Sequence, residues 1–250
     1  MSAAPSRQDL IERRAALLAA EPNLRARDIA ARLCISEAEL LALGSETTRV
    51  TRLRPEWQKI IAAVPGLGRV MALTRNESVV HERKGVYGAL EGGGHVGLIV
   101  GEDIDLRIFF MHWKSGFGVT EQLKDGGTRR SLQFFDAHGV AIHKIYETDK
   151  SDAAAFDALI AQFAGEDMPL EVIAAAEKRK PLADREIDVA GFRAAWDAMK
   201  DTHEFHGLIT KFKVERLQGL RLAGDTRATR VPAQSLRTAL EAARDREVPI

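Results

Sequence analysis

Apolar positions recur at helical spacing through the first quarter of the chain, and turn signals close each helical run. The pattern predicts four helices: one before Glu21-Pro22-Asn23, one over residues 27–33, one from Ser36 to Gly44, and one opened by Pro55. Glu39 follows Ser36 by three residues, which is the capping-box signature of a helix start. The chain therefore begins with short, closely spaced helices.

From Gly66 onward the pattern changes to short β runs separated by polar or glycine-rich turns. We expect strands over residues 69–73, 78–82, 95–100, 103–113, 128–135 and 141–146. In the run 103–113, alternation places Ile104, Ile108 and Phe110 on one face. Successive strands with short turns indicate an antiparallel sheet, so the pattern predicts the α+β fold class.

Helices return after the strands, over residues 153–163, 189–199, from about Thr202, 214–222 and 232–243. The charged residues 176–188 contain Pro181 and are interpreted as a linker. The segment from Asp28 to Val50 resembles that from Gly207 to Val231: both contain helix, connector, helix, glycine and Thr-Arg-Val. We therefore expect a tandem structural repeat, with a first copy over 1–175 and a second over 189–250. The second copy stops where the first strand of a second sheet would begin, so that sheet is expected to be missing.

Composition excludes several classes of protein. The 250 residues carry 36 basic and 36 acidic side chains, a balance that argues against a strongly basic nucleic-acid binder. The single cysteine, Cys34, excludes a disulfide framework and a cysteine-based metal site, and its place at the end of an apolar helix predicts a core residue.

The sequence has no run of about 18 apolar residues and its N-terminus lacks the apolar core of a secretory signal. We expect a cytoplasmic protein without membrane insertion.

Two histidines stand out by their spacing. His203 and His206 lie three residues apart in the first turn of a predicted helix and point to similar sides. The partial positive charge of a helix N-terminus favours neutral imidazole, which is the form that binds a metal. The alternative is that His203 is only a polar residue of a first turn. The remaining histidines have no partner at ligand spacing: His81, His95, His112, His138 and His143.

Arg107 is the second candidate, because its predicted strand places it among aromatic and thioether side chains. By period two it shares a face with Asp103, Asp105, Phe109, Met111 and Trp113. A guanidinium stacks on rings and binds carboxylates through a fork, so this face suits a flat, partly anionic ligand. The alternative is an arginine paired with an acidic residue of a neighbouring strand on a solvated face.

Residues 28–43 have the spacing of a DNA-binding helix-turn-helix. The second helix, SEAELLAL, is acidic where it would meet phosphates, which argues against nucleic acid as a partner. The glycine-rich run from Glu91 to Gly97 matches neither a P-loop nor a dinucleotide fingerprint and is interpreted as a flexible β connection.

With these residues in view, the sequence resembles the HemS/ChuS/PhuS family of cytoplasmic haemin-degrading and haemin-trafficking proteins. Five segments carry the resemblance: ARDIAARLCISEAELLAL, TRNESVVHERKGVY, HVGLIVGEDIDLRIFFMHW, RRSLQFFDAHGVAIHKIYETD and AWDAMKDTHEFHGLITKFKVERLQGL. Together they cover most of residues 25–222. The resemblance implies two similar halves, each with helices and an antiparallel sheet. The missing second sheet departs from this pattern, and implies a fragment, a half supplied by another polypeptide, or a pocket open on one side.

The resemblance also implies roles for individual residues. The family's axial haem ligand is the histidine of its D-[VT]-H-x-F segment, here His203, and the arginine of its DLR segment on the opposite side of the haem is Arg107. An arginine near the haem propionates matches Arg216. His206 has no fixed family role and is a reserve ligand. Arg107 would hold a distal water or hydroxide and so tune the reaction of the iron with oxygen.

The expected function is haem binding in bacterial iron acquisition. The protein would accept imported haemin in the cytoplasm, with the inner-membrane haem importer and a haem oxygenase as candidate partners. It would either pass haem to that oxygenase or open the ring itself, with oxygen and an external reductant. We expect a monomer or homodimer. Two alternatives stay open: a helix-turn-helix DNA-associated regulator, and a haem-free interaction module.

Overall fold

The computed structural model describes residues 5–76, 79–123, 125–166, 170, 172–173, 181–201 and 204–248. The chain divides into two compact units, residues 1–175 and 176–250. In their described parts, the first unit contains five α-helices and nine strands, and the second contains four α-helices. This mixture, with antiparallel strands throughout, confirms the α+β fold class.

The helices of the first unit are α1 (Arg7–Ala20), α2 (Ala26–Leu33), α3 (Glu37–Ala42), α4 (Trp57–Ala63) and α5 (Ala153–Gln162). Its strands are β1 (Thr48–Arg52), β2 (Val70–Arg75), β3 (Val80–Gly85), β4 (Leu90–Gly93), β5 (Val96–Ile99), β6 (Leu106–Phe109), β7 (Ser115–Gln122), β8 (Thr128–Phe135) and β9 (Ala141–Tyr146). A six-stranded sheet has the order β1-β7-β8-β9-β2-β3, and a three-stranded sheet the order β4-β5-β6.

Three of these strands, β1, β4 and β7, are absent from the sequence prediction. β7 reads SGFGVTEQ, and its glycines make it look like a loop. In the structure a Cβ on Gly116 would lie 2.7 Å from the Trp57 ring. The glycine is therefore needed for close packing of α4 on the sheet rather than for a turn.

The main core of the first unit lies on one side of the six-stranded sheet. Leu132, Phe134 and Ile145 of the sheet pack there against α4, α5 and the small sheet. His143 is buried in the same layer, where its Nδ1 lies 3.0 Å from Thr74 Oγ1 and its Nε2 lies 2.6 Å from the Tyr87 hydroxyl. Burial lowers the pKa of His143 to about 4, so the ring is neutral at pH 7.

The other side of the six-stranded sheet is covered by α3. The capping box predicted for Ser36 and Glu39 is confirmed, and the Ala38 amide donates to the Gly139 carbonyl at 3.0 Å. Ala38 is completely buried against Phe117 and Phe135. Because this face of α3 packs on the sheet, it is closed to a DNA groove, and the helix-turn-helix alternative is not supported.

The second unit is built from α6 (Val189–Asp197), α7 (Phe205–Lys211), α8 (Arg216–Ala223) and α9 (Ser235–Asp245). Phe192 of α6 lies at the centre of its core, in edge contact with Trp196 and Phe212. Part of the segment interpreted as a linker also packs here: Ile187 is buried and Asp184 accepts hydrogen bonds from Arg221 and Gln218. These bonds lower the pKa of Asp184 to about 2.

The two repeated segments share their local geometry. Cys34, the residue after α2, and Lys213, the second residue after α7, both have left-handed backbone, with φ of 58° and 55°. In each case the next amide reaches back five residues, from Ile35 to the Ala30 carbonyl and from Val214 to the Ile209 carbonyl. The prediction that Cys34 is a core residue is wrong, because at this turn Cys34 is exposed.

Candidate functional site

Arg107 lies on the outward face of the three-stranded sheet. It is opposite Leu98 across the β5–β6 pair, and Phe109 is opposite Val96. Ile108 points into the core, whereas Arg107 and Phe109 are exposed. Within the described residues Arg107 has no carboxylate partner, so the alternative of an ion-paired arginine is not observed. The face offers a cation beside apolar side chains.

The predicted face around Arg107 is only partly correct. The strand begins at Leu106 and ends at Phe109, and a 3-10 turn over Phe110–His112 breaks the alternation. Trp113 therefore turns into the core and packs on Phe134, with ring centroids 4.3 Å apart. Asp103 precedes the strand and accepts hydrogen bonds from Arg69 and Arg83 instead, which lower its pKa. Phe109 remains beside Arg107 in the strand.

In the second unit, the described part of the candidate site begins just after His203. Thr202 and the predicted axial ligand, His203, lie outside the described residues. His206 is exposed in the first turn of α7. Its carbonyl accepts a hydrogen bond from the Thr210 hydroxyl at 2.8 Å, which belongs to the turn of the helix.

Arg216, the first residue of α8, lies over the ring of Phe205, the first residue of α7. Its Cζ is 5.6 Å from the ring centroid, which is within the range of a cation–π contact. Phe205 is held in turn by an edge contact with Trp196, with centroids 5.1 Å apart. Arg216 has no acidic partner in the described part of the chain. The beginnings of α7 and α8 therefore bring together an aromatic ring and a guanidinium without an acidic partner among the described residues, and His206 follows that ring in the sequence.

These side chains suit a metal that is bound within a cofactor, which supplies most of the metal's ligands itself. No group of three metal-ligating side chains occurs in the described ranges. A haem brings four nitrogen ligands of its own and needs one axial side chain, commonly histidine. Its propionates need cations, and its flat apolar surface needs aromatic or aliphatic contacts. Arg216 with Phe205, and Arg107 with Phe109, each offer a cation and an aromatic side chain of that kind.

Phe205 is the contributor to the site that the sequence analysis did not single out. The available signal was its position two residues after His203, within the same segment. A phenylalanine at helical spacing is more often a core residue, and only the contact with Arg216 distinguishes it.

Comparison with known proteins identifies the class and then the family. The family model "Haemin-degrading HemS.ChuX domain" matches residues 34–163. The hemin transport protein HemS of Yersinia enterocolitica is 38% identical over 231 residues, covering 90% of this chain and 65% of the relative. The hemin transport protein HmuS of Yersinia pestis is 38% identical over 224 residues, covering 87% and 63%. The chain belongs to the HemS/ChuS family of haemin-handling proteins, and the family resemblance is confirmed.

Solved structures agree with this assignment. Holo-PhuS, a heme-binding protein from Pseudomonas aeruginosa, matches with a TM-score of 0.87 and 42% identity, over 96% of this chain and 70% of PhuS. ChuS, described as an Escherichia coli heme oxygenase, matches with a TM-score of 0.80 and 32% identity, over 95% and 68%. The chain thus spans 65% and 63% of the two transport proteins. Across the described ranges, no helix is long and apolar enough to cross a membrane.

Proposed function

We propose that this protein binds haem in bacterial iron acquisition. The observation that carries the proposal is the guanidinium of Arg216, which has no acidic partner among the described residues and lies above Phe205, two residues after His203 in the sequence. An arginine with no carboxylate partner is available for a propionate. The names of the relatives, hemin transport protein, heme-binding protein and heme oxygenase, all refer to the same ligand.

Each candidate residue has a role in this proposal. His203 is the axial ligand of the haem iron, and His206, three residues on, is the reserve ligand. Arg216 neutralises a propionate. Arg107 is the proposed catalytic residue on the distal side, where its guanidinium holds a water or hydroxide by hydrogen bond. Bound haem supplies the iron at which oxygen chemistry takes place.

Two fates of the bound haem fit the names of the relatives, transfer and ring opening. Transfer requires a labile axial bond and a docking surface for a haem oxygenase, with the inner-membrane importer as the source of haem. Ring opening requires oxygen and an external reductant at the distal side. Binding in the cytoplasm is common to both, and the exposed free thiol of Cys34 suits a reducing compartment.

The test is a haemin titration followed by absorption spectroscopy. We expect a saturable Soret band with one haem per chain, and a linear rise without saturation would contradict haem binding. Ascorbate is then added in air in the presence of catalase, which removes peroxide that would bleach haem without the protein. A stable spectrum identifies a carrier, and bleaching with release of iron identifies a ring-opening enzyme.

A further inference from the structure

A cavity lies in the first unit, between α3 and the six-stranded sheet. Its volume is about 290 Å³, at the lower end of the roughly 300–1,000 Å³ of small-molecule sites. The sheet presents polar as well as apolar side chains here, because alternation along β8 and β9 sends Leu132, Phe134 and Ile145 to the opposite core. The polar side chains that line the cavity from the sheet are Thr48, Glu121, Arg129, Ser131, Gln133, Lys144 and Tyr146.

Glu37 of α3 faces this cavity with one oxygen unsatisfied. Its Oε1 accepts from Arg75 Nη2 at 2.5 Å, whereas its buried Oε2 has no hydrogen-bond donor among the described residues. The Glu37 side chain is only 10% exposed. Lys144 Nζ is 4.0 Å from Oε2, which is too far for a hydrogen bond. A buried acceptor of this kind costs stability unless a donor reaches it.

Two cations also line the same cavity, and among the described residues neither has an anion at hydrogen-bond distance. Lys144 is largely buried, and desolvation lowers its pKa. Arg14 of α1 is half-buried and forms no hydrogen bond or ion pair with any part of the chain that the structure describes. Burial and the like charge of Arg7 lower the pKa of Arg14. The other lining cation, Arg129, is already paired with Glu121 at 2.7 Å.

Glu37 Oε2, Lys144 and Arg14 indicate which chemical groups a ligand of this cavity would carry. We propose that it is a site for a small dianion that also donates a hydrogen bond, of the hydroxydicarboxylate class. Carboxylates of the ligand pair with Arg14 and Lys144, and its hydroxyl donates to Glu37 Oε2. The site is independent of the haem proposal, since Arg107, His206 and Arg216 do not line it. Glu37 and Lys144 also line a neighbouring cavity of about 850 Å³.

L-Malate and succinate are matched probes for this site, because they differ by the single hydroxyl. In two-dimensional amide NMR of the ¹⁵N-labelled protein, we expect malate to shift the side-chain amide of Gln133 saturably. Succinate should bind about tenfold more weakly, as expected when a buried charged acceptor loses its donor. Equal affinity for the two would overturn the role of Glu37, and no saturable shift with malate up to its solubility would overturn the site.

Variants locate the binding groups. Arg14→Gln should weaken malate at least tenfold, whereas Arg13→Gln, an exposed neighbour on α1 that does not line the cavity, should leave the affinity unchanged. Lys144→Met provides a second test should Arg14→Gln fail to fold. Glu37→Gln should reduce the preference for malate over succinate. Identical malate affinity in the Arg14→Gln and Arg13→Gln proteins would contradict the proposal.

Discussion

The guanidinium of Arg216 lies over the ring of Phe205, with its Cζ 5.6 Å from the ring centroid. This contact joins the first residue of α8 to the first residue of α7. It fixes a positive charge beside the end of the segment that carries the proposed axial ligand. The ring restricts the arginine without neutralising it, so the charge stays available for an anion.

Replacing Arg216 by glutamine should therefore weaken haemin binding by about 3- to 30-fold, the range expected for one charge-assisted hydrogen bond near solvent. The loss should vanish with haemin dimethyl ester, whose propionates carry no charge. Absorption titrations of both proteins with both ligands measure this difference. An equal loss for the ester would show that Arg216 acts by packing rather than by charge.

Replacing Arg107 by leucine should leave haemin affinity within about threefold, because the variant keeps the apolar character of the face. The pH dependence of the absorption bands of the ferric complex should differ from that of the wild-type protein, because a distal water loses its hydrogen-bond partner in the variant. Spectra of the complex between pH 6 and 10 measure the effect. Arg83→Leu, which breaks an ion pair with Asp103, is the control. An unchanged pH profile in Arg107→Leu would remove Arg107 from the distal site.

The α3 layer depends on a glycine. Gly139 has φ of +69°, and a Cβ there would lie 2.5 Å from the Ser36 Cβ. Gly94 has the same φ with no atom within 4 Å of such a Cβ. In both alanine variants the left-handed backbone lowers the free energy of unfolding by roughly 1–2 kcal/mol. In Gly139→Ala, overpacking should lower it by about 1–3 kcal/mol more. Urea unfolding midpoints measure the difference, and equal midpoints would contradict this packing.

Buried His143 should make the first unit less stable in mild acid. Its pKa falls from 6.5 to about 4 on folding, so the unfolded chain binds a proton that the folded chain excludes. The contribution of His143 to the free energy of unfolding is therefore fully present above pH 6.5. It decreases as the pH falls towards 4, by roughly 3 kcal/mol in total. Urea unfolding between pH 7 and 4.5 measures the slope. His143→Gln should flatten it, whereas His95→Gln, at an exposed position, should keep it; a slope retained in His143→Gln would contradict this assignment.

Helical parts of the fold were predictable because their signals are local. The capping box at Ser36 and the helix after Pro55 depend on neighbouring residues alone. β7 was not predictable, since Gly116 leaves room for Trp57 of α4 and Gly118 for Ile160 of α5, and both helices are distant in sequence. Trp113 was assigned to the wrong face because a short 3-10 turn interrupts the alternation of inward and outward side chains. No residue type in the sequence indicates such a turn.

The candidate site was predictable only in part for the same reason. His206, Arg107 and Arg216 were identified from spacing and family resemblance, and the structure adds that both arginines lack acidic partners among the described residues. The contact of Arg216 with Phe205 depends on the packing of α7 against α8, which periodicity does not specify. The cavity at Glu37 likewise depends on a helix meeting the polar face of a sheet.

The central claim is that His203 binds the haem iron. The most direct measurement is the Soret spectrum of the ferric complex in the wild-type protein, His203→Ala and His206→Ala. We predict that His203→Ala loses or shifts the band and regains the wild-type spectrum with added imidazole, whereas His206→Ala retains it. An unchanged spectrum in His203→Ala, with the change in His206→Ala instead, would contradict the assignment of His203 as the ligand.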